Sequence, residues 1–367
     1  MDSLTQIVLG AAVAGAIAPA RHRRAALAAG AGLGTLPDLD SLPMWFMGLD
    51  PVTNMTWHRG PSHSLLVLLP LAALLWWLFK RTGGRVAEAP KRWFWAITLA
   101  LVTHPLLDAF TVYGTQLWWP LPPSPAMWSS LFIIDPLYTL PLLLGCLVAL
   151  VRAWRPSAQR ALVLGLALSS VYLGWSLLAK AMVDRVAERT LAAQGLQDAP
   201  RFSVPMPFNT LLWRVVVMTP HGFLEGERSL VADEGPMVFR AYASDTRALE
   251  EAKALPVVDR LLWFNQGFMK AEIRDERLVL SDLRMGAEPD YSFRFVVAER
   301  TGDGWRAYGP EQAQWPWEAG RRLSAMWDRI WARPPEELQV IAAGAGMVPP
   351  QAAAANSGET PATSASK

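Results

Sequence analysis

Apolar and polar positions along the 367 residues change their pattern near Val183. Before it, apolar runs fall at 4–20, 25–36, 65–79, 93–112, 133–151 and 161–183, separated by short polar stretches. A membrane-spanning helix needs about 20 residues, with a range of roughly 17–25. The last three runs meet that length, 4–20 is marginal, and 65–79 reaches it only when it starts near Gly60. The run 25–36 is short and carries Gly30, Gly32 and Gly34. It reads as a closely packed helix or a re-entrant segment. Beyond Val183, the stretches 212–218, 237–243, 277–280 and 291–298 are rich in β-branched and aromatic residues and predict strands. The stretches 246–254 and 318–331 predict helices. The expected fold is therefore a polytopic α-helical membrane domain of about six spans (1–183), followed by a soluble α+β domain (184–341). A disordered tail (342–367), almost free of large apolar residues, closes the chain.

Charge orients this pattern. The linkers 21–24, 80–92 and 152–160 hold three, five and three Lys or Arg residues, whereas 37–64 holds only Arg59 and 113–132 none. Eleven against one, in strict alternation, places the basic linkers in the cytoplasm. The N-terminus, 37–64, 113–132 and everything after Val183 are then expected on the opposite side. No basic stretch precedes the first apolar run, so 4–20 reads as a retained membrane element rather than a cleaved leader. The formal net charge of +2 gives no reason to expect a nucleic-acid partner. The one cysteine, Cys146, lies in an apolar run and reads as a small buried or lipid-facing residue.

Polar residues at the ends of apolar runs carry the chemistry. Trp57–Ser64 sets His58, Arg59, Ser62 and His63 against the run that follows. Asp38 and Asp40 follow Pro37, and His104 and Asp108 lie four residues apart inside the fourth run. A spacing of i, i+4 puts both on one face of a continuous helix, although Pro105 predicts a helix start or kink there. Ionisable groups in an apolar segment are costly unless they work. Nitrogen and carboxylate donors of this kind suit a divalent ion. On the expected topology Asp38, Asp40, His58, His63, His104 and Asp108 all reach the same membrane face. Asp135, before Pro136, reads equally as a ligand or a helix N-cap. The Trp- and Pro-rich stretch 113–132 reads as an interfacial lid or belt.

Several of these motifs together resemble a known family. They are the opening Met-Asp-Ser-Leu-Thr-Gln-Ile-Val-Leu-Gly-Ala-Ala, Pro37-Asp38-Leu39-Asp40, His58-Arg59-Gly60-Pro61-Ser62-His63-Ser64 and His104-Pro105-Leu106-Leu107-Asp108. Tyr113-Gly114-Thr115-Gln116, 132–139 and Asn209-Thr210-Leu211-Leu212-Trp213-Arg214 extend the likeness over roughly residues 1–300. The chain resembles the YdjM/YbcI-type bacterial inner-membrane proteins, described as metal-dependent hydrolases. The resemblance implies an integral inner-membrane protein with a His/Asp metal centre. Joined to the residue reading, it gives an expected hydrolase acting at the outer membrane–water boundary. Asp38, Asp40, His58, His63, His104 and Asp108 would hold Zn²⁺ or Mn²⁺, with Arg59 and Asp40 catalytic and a lipid or phosphoester as substrate. The C-terminal domain would lie in the periplasm. The alternatives are a non-catalytic metal-binding or transport protein, or a membrane-anchored binding module.

Overall fold

The computed structural model describes residues 1–302, 304–313 and 319–334. Its N-terminal part is all-helical: Ser3–Ile17 (α1), Arg23–Thr35 (α2), Ser41–Phe46 (α3), Pro51–Trp57 (α4), Leu65–Arg81 (α5), Gly84–Glu88 (α6), Pro90–Ala109 (α7), Pro136–Val151 (α8) and Pro156–Ala192 (α9). α1 is apolar on every side and so takes the centre, packed by α2, α7, α8 and α9. Its closest neighbour is α2, and the glycines explain why. A Cβ on Gly10 would run into the Gly30 carbonyl oxygen, and one on Gly34 would sit 2.5 Å from the Gln6 carbonyl oxygen. Small residues let the two backbones touch. The run 25–36 is thus the closely packed helix of the two readings.

The bundle has two chemically different ends. At one, Arg21 and His22 meet Glu88, and Arg23 and Arg24 reach carbonyls of Ala153 and Leu150. The three basic linkers therefore converge. At the other end lie Leu36–Asp40, Pro61–His63 and the C-terminus of α7. Helix α7 runs unbroken through Pro105, so His104 and Asp108 do share a face. The expectation of six spans is met only in part. Among the described residues, α9 alone has both the length and the apolarity to cross a membrane. A second crossing results if Pro51–His63 and α5, bent by 48°, count as one span. α1 and α8 are apolar but short, and α7 is diluted by Lys91, Arg92, His104 and Asp108.

α9 continues past Val183 to Ala192 and carries the chain into a sheet-containing domain. Its stripe Ala179, Val183, Ala187 and Leu191 packs beneath Trp213, Val215 and Val217. The strands are Arg201–Pro205 (β1), Leu212–Thr219 (β2), Gly222–Ser229 (β3), Phe239–Ala243 (β4), Met269–Arg274 (β5), Arg277–Asp282 (β6), Gly286–Ala287 (β7), Asp290–Tyr291 (β8), Arg294–Thr301 (β9) and Gly304–Gln312 (β10). They form antiparallel sheets ordered β1-β2-β3-β4 and β10-β9-β6-β5, with a β7-β8 ribbon. Helices Thr246–Ala252 (α10), Pro256–Phe264 (α11) and Ala319–Trp331 (α12) complete the domain. Four predicted strands correspond to β2, β4, β6 and β9, and both predicted helices form. β1, β3, β5, β10 and α11 were not anticipated. β3 and β5 carry Glu and Arg on their open faces, and β10 is largely exposed, so neither kind shows a hydrophobic run. The core against the second sheet includes Val52, Met55 and Tyr113, so this domain rests on the loops at the acidic end of the bundle. The disordered tail expected from Ala342 lies outside the described residues.

Candidate metal centre

α2 stops where Pro37 follows Leu36, and the chain tightens into a 3₁₀ turn over Leu36–Asp40. With about three residues per turn, positions i and i+2 point in different directions. Asp38 therefore faces His63 and His104, and Asp40 faces His58 and Ser62. The second donor segment leaves α4 at His58, passes Arg59 at a φ of 62°, makes the short turn Pro61–His63 and enters α5, capped by Ser64. A non-glycine residue in the left-handed region is uncommon. Here it turns the Arg59 side chain inward onto Asp108, Thr111 and Tyr113.

Four donor atoms converge. His63 Nε2 and His104 Nε2 are 3.0 Å apart, and each is 3.4 Å from Asp38 Oδ1. Asp108 Oδ2 is 3.3 Å from the first and 3.5 Å from the second. All four donors lie within 4.8 Å of one another. Ligand bonds of about 2.0–2.1 Å in tetrahedral array imply donor separations of about 3.3 Å. The partners fix the tautomers as well. His104 Nδ1 lies 2.6 Å from the Gly34 carbonyl, which only accepts, so the proton sits on Nδ1. Ser62 gives its hydroxyl proton to Asp40 at 2.6 Å and accepts from His63 Nδ1 at 2.9 Å. Both Nε2 lone pairs then face two carboxylate oxygens. Asp108 Oδ2 is buried with no hydrogen-bond partner among the described residues. Four electron-rich atoms held this close repel unless a cation sits between them, so the residues fit a divalent ion.

Asp40 and His58 stand beside this set rather than in it. His58 Nδ1 donates to Asp40 Oδ1 at 2.9 Å, and Asp40 Oδ2 also accepts from the Arg59 amide at 3.2 Å. His58 is 27% exposed, while His63 and Asp108 are fully buried. Burial would raise the Asp40 carboxyl, but the His58 hydrogen bond and charge outweigh it and hold it below the usual carboxylate range. Arg59 Nε is 3.2 Å from Asp108 Oδ2, an ion pair, and its guanidinium lies 4.9 Å from the Tyr113 ring centre. Asp135 serves as the N-cap of α8, accepting from Leu137, Tyr138 and the Tyr172 hydroxyl.

Sequence reasoning passed over three partners. Gln6 donates to Asp108 Oδ1 at 2.9 Å, and the Met1 amine meets the same oxygen. Thr111 bonds Arg59 at 3.1 Å. Gln6, an amide in the middle of an apolar run, was the available signal. The stretch 113–132, read as a lid, ties the site to the sheet domain. Its Gln116 amide donates to the Arg59 carbonyl, Leu117 accepts from the Leu65 amide, and Gln266 reaches the Pro125 carbonyl.

Residues 1–183 match the family model described as YdjM inner membrane protein. Among curated proteins, the chain is 25% identical over 237 residues to the uncharacterized protein YfhP of Bacillus subtilis (strain 168), covering 62% of this chain and 68% of that one. No solved structure matches.

Proposed function

The chain belongs, through residues 1–183, to the YdjM inner membrane protein family, and on that premise we propose that it is a metal-dependent hydrolase working at the outer membrane–water boundary. The observation that carries this reading is the four-donor set of Asp38, His63, His104 and Asp108 with the Asp40–His58 pair at its side. A divalent ion held by the four would supply Lewis acidity toward water and toward an ester or phosphoester oxygen. Asp40 holds the proton of His58 on Nδ1, which leaves Nε2 with its lone pair in the partly exposed mouth. That atom is placed to take a proton from water as a general base. Arg59 lies behind the ligands, where it offsets the charge of Asp108 and fixes its position. Its contacts support that positioning role, since clamping a substrate would require the guanidinium to leave Asp108.

The basic linkers meet at the far end of the bundle, and the positive-inside rule then puts the donor set and the sheet domain outside the cytoplasm. One observation favours a second reading, a non-catalytic metal-binding protein. Four protein donors fill a tetrahedral ion such as Zn²⁺, whereas hydrolysis needs an open position. An ion of higher coordination number, such as Mn²⁺, keeps positions free with the same four donors.

Metal analysis of the detergent-purified full chain, paired with an ester and phosphoester panel, separates these readings. His63→Ala is expected to lose both metal and turnover, and His58→Ala to keep metal and lose turnover. Wild-type protein that holds metal and cleaves nothing would leave the non-catalytic reading standing.

A further inference from the structure

At the basic end of the bundle, a cavity of about 520 Å³ opens between the end of α1 and the starts of α2, α7 and α9. That volume falls within the roughly 300–1,000 Å³ of small-molecule sites. Arg23, Lys91 and Arg92 line it with Trp95, against an apolar wall that includes Ile17 and Ala18, and no carboxylate is among the lining residues. Arg23 is buried, yet its hydrogen bonds go to neutral acceptors, the carbonyls of Gly15 and Ala153 and the side-chain oxygen of Gln159. Lys91 and Arg92 are exposed and have no ion-pair partner among the described residues. Glu88, the one acidic residue of the three basic linkers, is already met by Arg21 and His22. Three cations thus face one opening with no anion to offset them. Trp95 stands four residues beyond Lys91 on the same face of α7, about 6 Å further along the helix, and is 54% exposed. Charge at the rim, an indole one turn below it and an apolar wall alongside reproduce the order of polarity at a membrane interface.

We propose that this cavity binds the phosphodiester headgroup of an anionic phospholipid in the cytoplasmic leaflet. Guanidinium and ammonium groups form their strongest hydrogen bonds with charged acceptors such as phosphate oxygens. Basic pockets between helices on the cytoplasmic side are suited to such headgroups. Phosphatidylethanolamine carries the same phosphate, but its own ammonium would meet three cations and no carboxylate. An uncharged glycerol headgroup, as in phosphatidylglycerol, meets no such repulsion. A lipid also covers Ile17 and Trp95 with its first methylenes, which a free phosphate leaves bare. The leaflet follows from the orientation inferred from the basic linkers, whereas the headgroup class does not depend on it. Neither depends on the hydrolase reading, because the cavity lies at the opposite end of the bundle from the donor set.

The test is native mass spectrometry of the full-length protein released from nanodiscs of phosphatidylglycerol and phosphatidylethanolamine in equal parts. Wild-type protein is expected to retain severalfold more phosphatidylglycerol. Lys91→Gln combined with Arg92→Gln should abolish that excess, while Lys80, Arg81 and Arg85 keep the linker basic. Lys91→Arg combined with Arg92→Lys keeps both charges and should keep the excess. Arg152→Gln combined with Arg155→Gln removes two exposed charges from the same end but outside the cavity, and should also leave the excess intact. Equal retention of the two lipids by wild type, or an excess that survives the Lys91 and Arg92 glutamine pair, overturns the proposal. So does an equal loss in the Arg152 and Arg155 pair, which would reduce the effect to general charge attraction. Inorganic phosphate should displace no more lipid than chloride at the same ionic strength. A greater displacement would assign the cavity to free phosphate and overturn the lipid.

Discussion

Asp40 shows how much one side chain organises. Its two oxygens accept from His58, Ser62 and the Arg59 amide, and through Ser62 it sets the tautomer of His63. Residues that orient metal ligands in this way typically change metal affinity 10–100-fold when replaced. Asp40→Asn keeps the shape but puts a donor where acceptors are needed. Metal affinity is expected to fall by about 10-fold, at the lower end of that range, because all four donor residues remain. Turnover should fall further, about 10²–10⁴-fold, because the general base loses its orientation. Titration with Mn²⁺ beside single-turnover kinetics reads both. Equal losses in the two measurements would mean that Asp40 acts on the ligands alone.

At the scale of elements, the contact of α1 with α2 sets where the donors lie. α2 carries the chain to Asp38, and its Gly34 carbonyl holds His104 in the ligating tautomer. Both depend on the close approach at Gly10, Gly30 and Gly34. A methyl at Gly30 would meet the Gly10 carbonyl and the Ala14 side chain. Gly30→Ala should therefore cost about 1–3 kcal/mol by overpacking. Gly32→Ala, facing open space on the same helix, should be neutral or stabilise by up to about 1 kcal/mol, since alanine is the better helix former. Thermal melting of the two variants in one detergent compares them directly. A Gly30→Ala protein as stable as wild type would show that the helices can separate without loss.

For the molecule as a whole, the helical bundle and the sheet domain are joined by α9, which runs through both cores, and by 113–132, which touches both. The sheet domain therefore sits on the face that carries the donor set, with Tyr113 in its core and beside His58. If the basic linkers are cytoplasmic, that domain is periplasmic. A reporter fused after Gly195 that is active only in the cytoplasm should stay silent, and alkaline phosphatase at the same point should be active. The reverse result would mean an odd number of crossings, with α1 or α2 not spanning.

The residues by themselves settled what depends on local composition. The change from apolar helices to an α+β region follows from burial patterns a few residues wide. The alternation of basic linkers follows from where Lys and Arg fall. The six candidate donors were legible because ionisable side chains stand out against apolar runs, whereas the alignment of His104 with Asp108 waited on the structure, which carries α7 unbroken through Pro105. The division among the six came from tertiary structure. Which of Asp38 and Asp40 meets His63 depends on a 3₁₀ turn and on the docking of α2 against α7, where Gly34 meets His104 across 70 residues of chain. The same holds for Asp135, whose two readings were separated only when α9 brought Tyr172 to its free oxygen. Edge strands such as β10 gain their pairing from β9 rather than from their own hydrophobicity, so no pattern announced them.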